Sequence, residues 1–192
     1  FLTLDECADL LRRYFAARPK LKSGIEKLEA EVRERGYLES FTGRRRRIPE
    51  VFSENEEIVA RALRQSVNFP IQCGASEMTL MSLVLIWREM RRRRYRSRLI
   101  LTVHDSLVFD LHVDEAFEVL TLAKHIMENL PRMSESILPG LDWGWLNPDG
   151  RGAIPLVADC DVGPTWGTLV ETKNPSEPDL EQLWDEMAEK SA

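Results

Sequence analysis

Two short apolar stretches joined by a polar turn constrain the fold of this chain more than any other feature. Residues 99–103 form the first stretch, and residues 107–113 alternate apolar with polar side chains. Alternation with a period of two is typical of a half-buried strand, and so short a connection joins antiparallel strands. The residues between them are His104, Asp105 and Ser106. We therefore predict a β-hairpin that presents the carboxylate of Asp105 at its tip.

Helical patterns flank this hairpin on both sides. Thr3, with Glu6 three residues later, has the form of a capping box and predicts a first helix that ends before Pro19. Apolar residues at intervals of four, three and four then predict a second helix that ends at Gly36. Further helices are predicted at residues 55–67 with a break at Pro70, at residues 76–90, and from a cap at Asp114 to Pro131.

A second hairpin carries a block of arginines. Residues 37–42 and 44–49 flank Gly43, and the return arm contains Arg44, Arg45, Arg46 and Arg47. Another strand is predicted at residues 156–162. Seven more arginines lie in residues 88–98, and such blocks form solvated faces or contact polyanions. The mixture of helices and antiparallel hairpins predicts an α+β fold.

The charge balance is uneven along the chain. The net charge of -6 over 192 residues alone argues against a nucleic-acid partner, but residues 171–192 carry seven acidic residues and two lysines. The rest is therefore nearly neutral. Three widely separated cysteines suggest neither a disulfide framework nor a zinc site, which fits a reducing compartment. The uncharged residues 78–87 are far fewer than the roughly 20 that a membrane span needs, so no membrane partner is predicted.

A carboxylate on a rigid hairpin tip suits metal-dependent chemistry. Enzymes that transfer phosphoryl or nucleotidyl groups hold two Mg²⁺ ions with fixed carboxylates. Aspartate is also common in turns for conformational reasons, so the hairpin alone leaves both interpretations open. The pair His104 and Asp105 also occurs in metal-dependent phosphohydrolases. Those sites need an upstream histidine, however, and the other histidines, His112 and His125, lie downstream.

Three other segments give the turn its context. GRRRRIP at residues 43–49 and NFPIQCGA at residues 68–75 precede it, and DVGPTW at residues 161–166 follows it. In this order and spacing, the segments and the turn resemble the motifs of family A (polymerase I-like) DNA polymerases. The resemblance covers residues 1 to about 170, and the turn and the Gly-Pro-Thr-Trp variant are similar to phage-type members. It implies an antiparallel palm subdomain, in its C-terminal portion, preceded by helices from the base of the fingers.

The function implied by the resemblance is DNA-directed DNA synthesis. A primer 3′-hydroxyl would attack a nucleotide with the help of two Mg²⁺ ions, and Asp105 is implied as a catalytic, metal-binding residue. Asp110 is a poor substitute because it lies roughly 16 Å along the strand on the opposite face. The second aspartate and the nucleotide-binding helix are expected outside these 192 residues, so the chain alone is expected to be inactive. Ser106, where the family often has glutamate, is expected to be a weaker neighbouring ligand.

Other matched positions are implied to contact DNA. Gln72 and Asn68 resemble a polar pair near the minor groove of the primer terminus, where acceptors occur in every base pair. His104 is implied beside the primer end. Phosphate contacts, which position a duplex without reading its sequence, are implied for Arg64, Arg44, Arg45 and Arg46.

The same interpretation sets domains and partners. Residues 1–36 are expected at the base of the fingers, residues 37–170 in the palm, and residues 171–192 in an acidic tail. The expected partners are primer-template DNA, a dNTP and an N-terminal polymerase portion, supplied by the same longer chain or by a separate subunit. The expected location is the cytoplasm of a bacterium or phage-infected host. The alternative is a non-catalytic DNA-binding or assembly subunit that retains the palm fold.

Overall fold

The computed structural model describes residues 2–146 and 154–172, together with Ser176, Pro178, Leu180, Gln182 and Asp185. The chain divides into two units, Phe1–Gly74 and Ala75–Ala192. In the described residues, helices alternate with three two-stranded antiparallel sheets. The predicted α+β class is confirmed.

The first unit begins with two helices whose ends follow the local sequence signals. Helix α1 (Leu4–Ala16) has the predicted capping box, since the backbone N–H of Glu6 donates to Thr3 Oγ1 (3.3 Å) and Thr3 N–H donates to the Glu6 carboxylate (2.7 Å). Helix α2 (Pro19–Arg35) ends at Gly36, whose φ of 70° is the left-handed conformation that glycine adopts without strain. Both predicted helices are confirmed.

The glycine-centred hairpin is confirmed with short strands. Strand β1 (Tyr37–Glu39) pairs with β2 (Arg45–Arg47), and Gly43 in the turn has a φ of 85°. One face of this hairpin covers the core of the first unit. The buried residues of that core are Val32, Leu38, Ile48, Val51, Ala62, Leu63 and Phe69.

The predicted break at Pro70 is wrong. A single helix α3 (Glu56–Arg93) runs through that residue and through both units. Pro70 has no N–H for the carbonyl of Ser66, and a proline inside a helix costs about 3 kcal/mol. Leu63 and Phe69 are buried on the same helix, and burial of such side chains contributes roughly 1.5–3 kcal/mol each. Burial therefore outweighs the local helix-breaking signal.

Helix α3 is also the one helix in the described part of the chain that is long and apolar enough to cross a membrane. Of its most apolar 18-residue window, 44% is buried inside the protein. A core helix of a protein outside membranes has the same length and composition. That the chain has no membrane partner stays a prediction.

The second unit contains the hairpin predicted around Asp105. Strand β3 (Arg98–Val103) pairs antiparallel with β4 (Ser106–Asp110), so this prediction is confirmed. The register shifts between Leu99 and Leu101, which leaves Ile100 in a bulge. A bulge increases the local twist of a strand pair.

The helix that follows begins later than predicted. Helix α4 (Ala116–Glu128) is preceded by a 3₁₀ turn (Val113–Glu115), and a short helix α5 (Leu130–Met133) follows it. Asp114 is therefore not its cap, and the prediction was wrong in that detail. Asp114 lies inside the 3₁₀ turn and not at the residue that precedes α4, and its carboxylate accepts a hydrogen bond from Arg96 Nη2 (2.8 Å).

The last described strands form a third hairpin. The strand predicted at residues 156–162 is only three residues long, β5 (Cys160–Val162), and it pairs with β6 (Val170–Thr172). Further along, Leu180 is buried against Ala116, Leu120 and Val162. Leu180 is thus part of the apolar core of the second unit.

Candidate active site

The tip of the β3–β4 hairpin is a two-residue turn. Val103 pairs with Ser106, so that His104 and Asp105 alone reverse the chain. His104 has a φ of 55°, whereas Asp105 is not among the residues with positive φ. A positive φ at the first turn position only is characteristic of type II′ turns, which usually have glycine there. Histidine therefore occupies a strained position, and strained residues concentrate at functional sites.

Asp105 has the properties of a free oxygen ligand. The side chains of His104, Asp105 and Ser106 are all exposed. Among the described residues, none forms a hydrogen bond or ion pair with the Asp105 carboxylate, so both oxygens are accessible to a hard cation such as Mg²⁺. The same part of the chain contains no group of three or more His, Cys, Asp or Glu residues placed to hold a metal. Asp105 can thus supply one side of a metal site.

Asp110 lies at the other end of the hairpin. Its register partner is Arg98, the first residue of β3, while Asp105 lies two residues beyond Val103, the last residue of that strand. Four strand residues separate the two carboxylates, so they cannot share a metal site.

The base of the hairpin is fixed by a carboxylate that the sequence did not reveal. Glu115 accepts hydrogen bonds from the backbone N–H groups of Arg96 (3.0 Å) and Ser97 (2.8 Å) and from the Ser97 hydroxyl (2.9 Å). That hydroxyl in turn accepts from the N–H of His112 (2.9 Å). Desolvation acts to raise the pKa of Glu115, but these hydrogen bonds outweigh it and lower the pKa to about 2. Hydrogen bonds through Glu115 and the Ser97 hydroxyl therefore connect both ends of the hairpin to the start of α4.

A polar stripe lies on α3 in the first unit. Arg64, Asn68 and Gln72 are four residues apart, and all three are exposed. Residues at this spacing share one helix face. Because the helix continues through Pro70, the stripe is unbroken. An exposed isoleucine, Ile71, lies beside it.

The arginines of β2 do not form one surface. Successive strand residues point to opposite faces, so Arg46 lies on the face of its partner Leu38, and its guanidinium is 5.9 Å from the centre of the Phe69 ring. Arg45 lies on the other face and bonds to the Glu39 carboxylate. Arg44 belongs to the turn, where its N–H donates to Ser40 Oγ (3.2 Å). Only Arg46 shares a face with the core.

Comparison with known sequences decides the family. The family model that matches this chain is that of DNA polymerase family A, and the match covers residues 1–168. The chain belongs to DNA polymerase family A. The resemblance inferred from the four segments is thereby confirmed.

Relatives of this family A chain come from phages and bacteria. It is 35% identical to the DNA polymerase of Bacillus phage SP01 over 167 residues, which are 87% of this chain and 17% of that protein. It is 33% identical to a thermostable DNA polymerase I of Thermus thermophilus over 145 residues, which are 74% of this chain and 17% of that protein. The chain thus spans about a sixth of the length of these relatives.

A solved polymerase structure has the same fold. The POL domain of Pol1 from M. smegmatis, in complex with DNA primer-template and dNTP, matches with a TM-score of 0.63 and 27% sequence identity. The match covers 67% of this chain and 23% of that one. The fold of this family A chain is therefore that of a polymerase domain.

The positions expected in a family A polymerase separate into two groups. The second unit brings His104, Asp105 and Ser106 together at one hairpin tip. The first unit places the α3 stripe and the β2 arginines. Glu115 was missed because its partners are 18 and 19 residues away and no local pattern marks it.

Proposed function

We propose that this chain is the part of a DNA-directed DNA polymerase that contributes Asp105 to the metal site for nucleotidyl transfer. The observation that carries the proposal is an exposed carboxylate, without a partner among the described residues, on a strained two-residue turn in a family A chain. The two-residue turn and the hydrogen-bonded base of the hairpin fix the backbone from which the Asp105 side chain projects. A carboxylate on a fixed backbone needs only a side-chain rotation when a cation binds.

The three residues at the hairpin tip have different roles in this proposal. Bound Mg²⁺ would lower the pKa of the attacking primer hydroxyl and neutralise charge on the phosphates. Asp105 holds the cation, and His104 lies beside it, within reach of the primer end. Ser106 offers a neutral hydroxyl next to the carboxylate, which is a weaker ligand for a hard cation.

The α3 stripe binds the primer-template duplex in this proposal. Arg64 donates to a phosphate, while the amides of Asn68 and Gln72 donate to minor-groove acceptors that every base pair presents. Arg46 adds a phosphate contact, and Arg44 and Arg45 are assigned to the same duplex. The M. smegmatis domain of similar fold, which was solved with primer-template and dNTP, supports DNA and dNTP as partners.

We further propose that a second aspartate and the nucleotide-binding helix come from sequence outside these 192 residues. A single carboxylate cannot hold two ions, and the described residues offer no acidic cluster to assist it. Helix α1 supports further protein contacts, because Leu4 is 90% exposed and none of its residues is buried. The chain alone should therefore be inactive.

The proposal includes the division into polymerase subdomains that the family resemblance implied. Residues 1–36 belong to the base of the fingers, residues 37–170 to the palm, and residues 171–192 to an acidic segment. The polymerase works in the cytoplasm of a bacterium or phage-infected cell, as its bacterial and phage relatives suggest.

Primer extension by the complete polymerase tests the proposal. Asp105→Ala should abolish extension with Mg²⁺, whereas Asp110→Ala, which removes an exposed carboxylate from the same hairpin, should retain it. If Asp105→Ala extends primers like the native protein, the chain is instead a non-catalytic DNA-binding or assembly subunit.

A further inference from the structure

The carboxyl-terminal end of α3, in the second unit, carries a concentrated positive charge. Five arginines and one glutamate lie between Trp87 and Arg94, and all five arginine side chains are exposed. Trp87 itself is 48% exposed. No part of the candidate active site includes these residues.

Within the part of the chain that the structure describes, two of the five arginines are neutralised. The Glu89 carboxylate accepts hydrogen bonds from Arg92 (2.8 and 2.6 Å) and Arg93 (2.7 Å). Arg88, Arg91 and Arg94 have no acidic partner among the residues that the structure describes. Three guanidinium groups are therefore available to an anion. We call them, together with Trp87, the α3-end patch.

The tryptophan belongs to this charged surface. Arg91 lies one turn after Trp87, and its guanidinium is 5.0 Å from the centre of the indole ring. The neighbouring apolar side chains Ile86 and Met90 are buried, so the core of the second unit is filled from the other side of the helix. An exposed aromatic ring flanked by cations can stack on a nucleobase while the cations bind its phosphates.

The conformation of Arg94 points to a function for its charge. This residue follows the last residue of α3 and has a φ of 60°, a position where helices usually have glycine. The left-handed conformation costs an L-residue with a Cβ roughly 1–2 kcal/mol. Arginine is thus present where glycine would be more stable.

The α3-end patch is separate from the Asp105 tip. Arg96, between Arg94 and β3, forms ion pairs with Asp114 and Glu115, and Arg98, the first residue of β3, lies opposite Asp110. From Arg98 to Asp105 the chain advances seven residues, which is roughly 20 Å along a strand. One side chain cannot reach both places.

We propose that the α3-end patch binds single-stranded DNA, with its guanidinium groups on successive phosphates and an unstacked base on Trp87. A single strand fits better than a duplex because its bases are free to leave the stack. It fits better than an acidic protein because the patch includes an exposed ring as well as charge. The inference adds a second DNA contact to the proposed function and does not depend on the catalytic role of Asp105.

Fluorescence anisotropy with a labelled dT20 oligonucleotide tests this inference on the complete native protein. An excess of unlabelled blunt-ended duplex, annealed from two complementary strands, occupies any site for a primer terminus and offers no single strand. The test variant is Arg88→Gln/Arg91→Gln/Arg94→Gly. The matched control, Lys27→Gln/Arg33→Gln/Arg132→Gln, removes the same charge from exposed residues that likewise have no acidic partner in the described part of the chain.

The native protein and the control should bind dT20 equally. The patch variant should bind more weakly, and its plot of log affinity against log salt should be shallower by about 2, since each phosphate contact on a single strand contributes about 0.7. Trp87→Ala should weaken dT20 binding roughly 5- to 150-fold, as expected for loss of one base stack, and leave duplex binding unchanged.

Two results would overturn the inference. One is equal loss in the patch variant and the control, which indicates a general charge effect. The other is equal loss of dT20 and duplex binding in Trp87→Ala, which indicates that Trp87 contacts single-stranded and duplex DNA alike. Arg94→Gly alone separates binding from folding, because it should weaken dT20 binding while the melting temperature stays the same or rises. An unchanged affinity in that variant removes Arg94 from the patch and contradicts the role inferred from its conformation.

Discussion

Glu115 holds Ser97 with two hydrogen bonds, one from the backbone nitrogen at 2.8 Å and one from the hydroxyl at 2.9 Å. Ser97 directly precedes β3, and Glu115 directly precedes α4. This pair fixes the base of the hairpin whose tip carries Asp105. A ligand on a turn is only as well positioned as the strands that support it.

The Glu115 network predicts a stabilising role with a defined pH dependence. Glu115→Gln should destabilise the protein by roughly 1–3 kcal/mol at pH 7, because Ser97 loses a charged acceptor. Thermal unfolding by circular dichroism measures the effect. Asp114→Asn, at a more exposed carboxylate, should cost under about 1 kcal/mol. Equal effects of the two substitutions would contradict the role of Glu115.

The pH dependence follows from the sign of the shift. The folded pKa of Glu115, about 2, lies below its usual value of 4.5. Its contribution is therefore present above about pH 4.5 and is lost as the pH falls from there towards 2. The difference in stability between the native protein and Glu115→Gln should shrink over that interval. A difference in stability that stays constant down to pH 2.5 would show that the ionised carboxylate of Glu115 is not what stabilises the native protein.

His104 predicts opposite effects on stability and activity. His104→Gly should raise stability by roughly 1 kcal/mol because the residue has a φ of 55°. Nucleotide incorporation should fall, since the imidazole that we propose to lie beside the primer end is lost and the tip becomes more flexible. Denaturant unfolding and primer extension on the same preparation measure the two effects. Unchanged incorporation in a stabilised variant would assign the histidine no part in the reaction.

Pro70 predicts a gain in stability on substitution. Pro70→Ala restores an N–H that can donate to the carbonyl of Ser66 and should stabilise α3 by roughly 1–2 kcal/mol after the added entropy of the unfolded chain is subtracted. Denaturant unfolding measures the change. A loss of stability would mean that the surrounding core is built around a local distortion of the helix. In that case Pro70→Ala should also move Asn68 and Gln72 out of line with Arg64 on the helix face.

The two faces of β2 predict unequal contributions to duplex binding. Arg46 has no acidic partner among the described residues, whereas Arg45 bonds to Glu39. Arg46→Gln should therefore reduce the salt dependence of primer-template binding by nearly one unit in the log–log slope, and Arg45→Gln by much less. Anisotropy from 50 to 300 mM salt, the range in which phosphate contacts are lost, provides the measurement. A larger effect of Arg45 would place the duplex on the opposite face of the hairpin.

Local chemistry determined which parts of the fold were predictable. The capping box at Thr3 and the left-handed glycines Gly36 and Gly43 act over a few residues, so their elements were predicted from sequence. The predicted break at Pro70 was wrong because the burial of Leu63 and Phe69 outweighs the one hydrogen bond that Pro70 cannot make. Strand β6 was not predicted because it is recognised from its pairing with β5 and no hairpin-turn signal in the sequence marked that pairing.

In the candidate site, too, the features set by neighbouring residues could be predicted and those set by distant contacts could not. The hairpin tip that presents Asp105 could be predicted because a turn between two apolar strands is a local signal, and the family resemblance made Asp105 the candidate metal ligand. The separation of Arg45 from Arg46 depends on the strand register, and the anchoring by Glu115 depends on residues 18 and 19 positions away. Both needed the structure.

The central claim is that the Asp105 carboxylate binds a catalytic cation. Single-turnover incorporation of one nucleotide by the complete polymerase tests it most directly, when native protein, Asp105→Asn and Asp110→Asn are compared over a range of Mg²⁺ concentrations. We predict that Asp105→Asn binds primer-template normally but incorporates about 10³-fold more slowly at every Mg²⁺ concentration, since the lost metal contact is worth several kcal/mol in the transition state. Asp110→Asn should match the native rate. An Asp105→Asn rate within tenfold of native would contradict the account.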